Sequence, residues 1–98
     1  MTDLMLFSRI ESAATAAGVD LVRVDAPSDL PRAAELVLVD WSARDKSWAA
    51  ALQGREGRVI LFGPHTDLEA HAAAREAGLG PMMARSKLVA DLPALLSA

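Results

Sequence analysis

The sequence predicts an α/β domain built on a parallel sheet, and three observations carry that expectation. Leu36-Val37-Leu38-Val39 and Val59-Ile60-Leu61-Phe62 are apolar at every position, as strands buried on both faces must be. Apolar residues at helical spacing separate and follow these runs, so strand and helix patterns alternate along the chain. The first run ends in Asp40, a carboxylate at the carboxyl end of a strand, where open α/β sheets place their sites.

The elements follow in order. Leu4-Met5-Leu6-Phe7 is a continuous apolar run and is expected to be a buried first strand. Ser8 with Glu11 has the spacing of a capping box. Ile10, Ala13, Ala14 and Ala17 then share one helical face, with Gly18 as the stop. Asp20-Leu21-Val22-Arg23-Val24-Asp25 alternates apolar and charged residues, the pattern of a second strand with one side near water. Pro27 and Pro31 limit any second helix to a short one near residues 30–34.

The third strand is Leu36 to Val39, ending at Asp40. A third helix is expected over Asp45 to Gln53, with Trp48, Ala51 and Leu52 facing inward, and Gly54 and Gly57 bracket the turn that follows. Arg58 to Phe62 is the fourth strand. Thr66 with Glu69 forms a second capping box ahead of a fourth helix, whose Ala70, Ala73, Ala74 and Ala77 make an all-alanine face. Met82-Met83-Ala84 reads as a short fifth strand, its two methionines on opposite faces. The last helix carries Leu88, Leu92, Leu95 and Leu96 on one stripe, and Pro93 requires it to kink or to start only near Asp91. The expected architecture is a single domain over residues 1–98: a three-layer flavodoxin-like sandwich on a five-stranded parallel sheet of order 2-1-3-4-5.

Composition excludes several function classes. The 98 residues carry a net charge of -3, unlike the basic stripe of a nucleic-acid binder or of an electrostatic membrane-surface protein. No cysteine is present, which removes disulfides, thiolate catalysis and thiolate metal sites. No apolar stretch reaches membrane-spanning length and no basic region precedes the first apolar run. A soluble, cytoplasmic protein is the expectation.

Three features together resemble a response-regulator receiver domain, over nearly the whole chain. Leu36-Val37-Leu38-Val39-Asp40-Trp41 resembles the third receiver strand, whose terminal Asp accepts the phosphoryl group. Ala72-Ala73-Ala74-Arg75-Glu76-Ala77-Gly78-Leu79-Gly80 resembles the fourth helix and the turn after it. Met82-Met83-Ala84-Arg85-Ser86 lies where receivers carry the fifth strand and a Lys-Pro pair. The resemblance implies Asp40 as the phosphoacceptor equivalent. It is also degenerate. Phe7 and Ser8 stand where receivers hold Mg²⁺ with an acidic pair, Gly63 stands for a Ser or Thr, and Arg85 stands for the active-site lysine. Phosphoryl transfer needs charge neutralisation by a divalent cation and a cationic side chain, and one carboxylate is a poor Mg²⁺ site.

The candidate residues gather at the carboxyl edge of the expected sheet. Asp40 is either a remnant acceptor or a structural carboxylate paired with Arg85. Ser8, Arg9, His65, Thr66, Arg85 and Ser86 are expected to emerge on the same side, where two guanidinium groups, an imidazole and helix N-termini would suit a small anion or a phosphorylated ligand. Ser8 and Ser86 read equally well as helix caps. His65 and His71 do not share a helical face at ligand spacing, so no metal and no cofactor are expected. Trp41 either covers the site at the surface or packs half-buried in its loop.

The first functional expectation is a non-enzymatic, non-phosphorylated receiver-like module in signalling or protein–protein interaction. With the chain ending two residues past Leu96, it would act by docking on an unknown protein partner rather than through an output domain. A homodimer through the fourth helix, fifth strand and fifth helix is one expected form. The alternative is the anion-binding domain, using Arg9, His65 and Arg85. A weak hydrolase at the same edge, from Asp40, His65 and Ser8 or Ser86, is the remaining reading.

Overall fold

The computed structural model describes residues 4–55 and 57–96. Three parallel strands, β1 (Leu36–Asp40), β2 (Arg58–Gly63) and β3 (Met83–Ala84), form one sheet in the order β1-β2-β3. Four helices accompany them: α1 (Leu4–Ala17), α2 (Trp48–Leu52), α3 (Leu68–Glu76) and α4 (Arg85–Leu96). The α/β class, the parallel pairing and the neighbour order of the last three expected strands are present. A five-stranded sheet of order 2-1-3-4-5 is not: the described residues hold three strands.

Both missing strands have a physical reason. Leu4-Met5-Leu6-Phe7 is helical and belongs to α1. None of its residues is β-branched, and leucine and methionine are good helix formers. Leu6 also falls four residues before Ile10 and eight before Ala14, so the run extends the buried stripe of the helix backwards. Ser8 therefore lies inside α1, and its expected capping role is lost. The first strand that Asp20–Asp25 was expected to lie beside is absent, and the segment is in no ladder and no regular secondary structure.

Residues 26–35 hold one 3₁₀ turn, Pro27–Asp29, earlier than the short helix expected near 30–34. Proline is favoured at the first helical position, where its missing N–H costs nothing. Helix α2 is shorter than the expected Asp45–Gln53. Asp67 caps α3, its carboxylate accepting from the Ala70 N–H at 3.1 Å, so the cap sits one residue past Thr66. Helix α4 runs from Arg85 through Pro93 as one element and does not wait until Asp91 to begin.

Side chains alternate across the sheet, as the two-residue strand period requires. Val37, Val39 and Leu61 face α2 and α3 and pack with Trp41, Leu52, Ala70, Ala74 and Met82. Leu38, Ile60 and Phe62 face α1 and α4, among Leu6, Ile10, Leu88 and Leu92. The two methionines at residues 82 and 83 divide between these clusters, as expected. The layering is thus helix, sheet, helix. The alanine face of α3 contributes Ala70 and Ala74 to full burial, and small side chains let this helix sit close on the strands.

The turn into β2 sets the register. Gly57 has φ +86°, and a Cβ built there would stand 2.8 Å from the carbonyl oxygens of both Ala34 and Glu35. The adjacent Arg58 N–H donates to Glu35 O at 2.9 Å and opens the β1–β2 ladder, which pairs Leu36 with Arg58 through Asp40 with Phe62. Gly57→Ala is expected to destabilise by about 2 kcal/mol, because the left-handed backbone and a clash with main chain act together. Urea unfolding, with an unchanged slope and a lower midpoint, checks it.

No helix among the described residues is long and apolar enough to cross a membrane.

Candidate functional site at the carboxyl edge of the sheet

The β1–β2 ladder brings Asp40 opposite Phe62, and the β2–β3 ladder brings Phe62 opposite Met83. Three strands therefore end together. Arg85, the first residue of α4, follows β3 directly and is delivered to the same edge as Asp40.

Asp40 is 6% exposed. Its two oxygens have different surroundings. Oδ1 accepts a hydrogen bond from the Ser42 hydroxyl at 2.7 Å. Oδ2 is buried, makes no hydrogen bond, and has the Arg85 guanidinium 3.7 Å away. At that distance an opposite charge contributes about 4 kcal/mol of attraction for an effective dielectric near 20, before desolvation is subtracted. The carboxylate thus has one hydroxyl and one guanidinium as its neighbours.

Trp41 is packed in the core cluster between the sheet and α3 rather than lying exposed over the site. It is 2% exposed, and its indole Nε1–H donates to the Ala70 carbonyl at 3.0 Å. It is more deeply buried than either expected placement. The Arg44 guanidinium lies 5.8 Å over its ring and donates to the Trp41 carbonyl at 3.3 Å. The loop after Asp40 is therefore tied to α3 through Trp41 and to itself through Ser42 and Arg44.

Gly63 occupies the end of β2, where the receiver pattern has a hydroxyl residue. A Cβ there would meet Met82 Sδ at 3.0 Å and Cε at 3.2 Å, with the Ser42 Cβ at 3.7 Å. Met82 fills the space that a Ser or Thr would need. The hydroxyl at this edge comes instead from Ser42, on the neighbouring loop.

The other candidates are not gathered here. Ser8 and Arg9 are exposed on α1, beside Val89 and Pro93 of α4. His65 and Thr66 are exposed in the turn after β2, and the His71 ring nitrogen contacts the His65 carbonyl at 3.2 Å. Ser86 is the second residue of α4 and is exposed, inside the helix rather than capping it. No hydrogen bond or ion pair among the described residues joins Arg9, His65 and Arg85. The described residues hold no group of three or more His, Asp or Glu side chains placed to take a metal ion.

Ser42 is the site residue that sequence reasoning missed. Its signal was available: a hydroxyl two residues after an Asp is the spacing of a local side-chain turn.

No family model, no curated protein and no solved structure matches the chain.

Proposed function

We propose that the chain is a receiver-like interaction module in signalling, in which an internal Arg85–Asp40 ion pair takes the place of a metal-dependent phosphoacceptor. The observation that supports it most is the environment of Asp40: buried, with one oxygen on Ser42 and the other facing Arg85. An acceptor must offer an oxygen to an incoming phosphoryl group and a cation must neutralise that group as it transfers. Here the guanidinium already neutralises the carboxylate, so the charge arrangement is satisfied without phosphate. The module would not be an enzyme. It would act through a protein partner that recognises its fixed surface.

Trp41 directly follows Asp40 and reports on it. A titration with Mg²⁺ and beryllofluoride, followed by tryptophan fluorescence with Asp40→Asn as control, is expected to give no saturable change. A saturable change that the control loses would overturn the reading and make Asp40 a working acceptor.

A further inference from the structure

We propose that the cleft between α2 and the last turn of α3 binds a small zwitterion, a molecule with a carboxylate at one end and an ammonium group at the other, of which a free amino acid is the simplest case. The cleft has a volume of about 650 Å³, within the range of small-molecule sites. Neither Asp40 nor Arg85 lines it, and the proposal does not depend on the receiver-like reading.

One wall carries a positive end. Arg44, Asp45 and Lys46 line it from the loop before α2, and two cations against one carboxylate leave one positive charge. Arg44 is already fixed there. Its guanidinium lies 5.8 Å over the ring of the buried Trp41 and donates to the Trp41 carbonyl at 3.3 Å. A guanidinium has several N–H donors, so the fork keeps donors for a carboxylate, which it can grip in two prongs. A side chain held beforehand loses less freedom on binding.

The opposite wall carries the negative end. Glu76 lines it from α3 and makes no ion pair among the described residues. Gln53 Nε2 donates to the Ala77 carbonyl at 2.7 Å, which joins the end of α2 to the end of α3 and leaves the amide oxygen as an acceptor. The carboxyl end of a helix also favours a cation. Together these groups suit an ammonium.

The two ends are kept apart. Lys46 and Glu76 line one cleft, yet no ion pair among the described residues joins them. Ala49 and Ala73 stand in the same cleft, and their methyl groups leave room for the apolar body of a ligand. Two other opposite-charge pairs of the chain do close, Lys87 with Asp91 at 2.8 Å and Arg85 with Asp40 at 3.7 Å. A molecule bearing both charges bridges what these side chains do not.

Amide and indole N–H spectra of the full chain, titrated with each of the standard amino acids up to about 10 mM, test it. At least one is expected to give saturable shifts at the Trp41 indole N–H, the Gln53 side-chain amide and Ala73. Its N-acetyl and carboxamide forms, which lack the ammonium or the carboxylate, are expected to bind at least about tenfold more weakly. Glu76→Gln, at an exposed position, and Arg44→Lys, which loses the fork, are expected to do the same. No shift with any amino acid at that concentration would overturn the proposal. So would shifts that fall outside the cleft, capped forms that bind as well as the free acid, or binding that Glu76→Gln leaves unchanged. Should Arg44→Lys fail to fold, Glu76→Gln and the capped forms decide.

Discussion

Phe62→Ala is expected to cost about 4 kcal/mol, the largest effect of any single truncation in this chain. The ring is 0% exposed, at the centre of the sheet, against Leu6, Ile10, Leu88 and Leu92. It joins β2 to both helices of that layer, so its loss leaves a cavity that neither α1 nor α4 can close without leaving the other. A domain of this length has a total stability of only about 5–15 kcal/mol. The melting temperature should therefore fall by roughly 15–30 °C. Leu68→Ala is the matching control. Leu68 is large and apolar but exposed at the start of α3, and its truncation should change stability by less than about 0.5 kcal/mol. Thermal unfolding of the two variants side by side separates burial from hydrophobicity as the cause.

Arg85→Ala is expected to cost about 3 kcal/mol, and most of that cost belongs to Asp40. Truncating Arg85 leaves a carboxylate that is 6% exposed, with only the Ser42 hydroxyl to compensate it. Removing one member of a buried pair is strongly destabilising because the other stays behind as an uncompensated charge. The guanidinium side chain is 35% exposed, which places the effect at the lower end of that range. Asp40→Asn in the same chain should recover much of the loss, since a neutral amide does not require a cation. Arg85→Lys should be intermediate, keeping the charge but not the planar reach of the guanidinium.

The second half of the chain was the more legible part in its sequence. Leu36–Asp40 and Arg58–Gly63 are apolar at almost every step, and only a strand buried on both faces needs that. The alanine face of α3 and the placing of Met82 and Met83 on opposite faces also follow directly from periodicity. The first half misled for two different reasons. Leu4-Met5-Leu6-Phe7 is a four-residue apolar run, too short for periodicity to distinguish strand from helix, and its unbroken apolar character was read as a buried strand. Asp20–Asp25 carries a valid strand pattern, but a strand exists only where a partner lies beside it, and pairing is not a local property. At the site, the pairing of Asp40 with Arg85 was legible because each ends or follows a predicted strand. Arg9 was misplaced with the first strand: once Phe7 is helical, Arg9 rides on α1 rather than emerging at the sheet edge.

The measurement that bears most directly on the central claim is a double-mutant cycle on Asp40 and Arg85, by urea unfolding of the unmodified chain, Asp40→Asn, Arg85→Ala and the double variant. A locked edge predicts a favourable coupling of about 1.5–2 kcal/mol, little weakened by salt because the carboxylate is buried. A coupling near zero, with the two single losses simply adding, would contradict the account and leave Asp40 available for other chemistry.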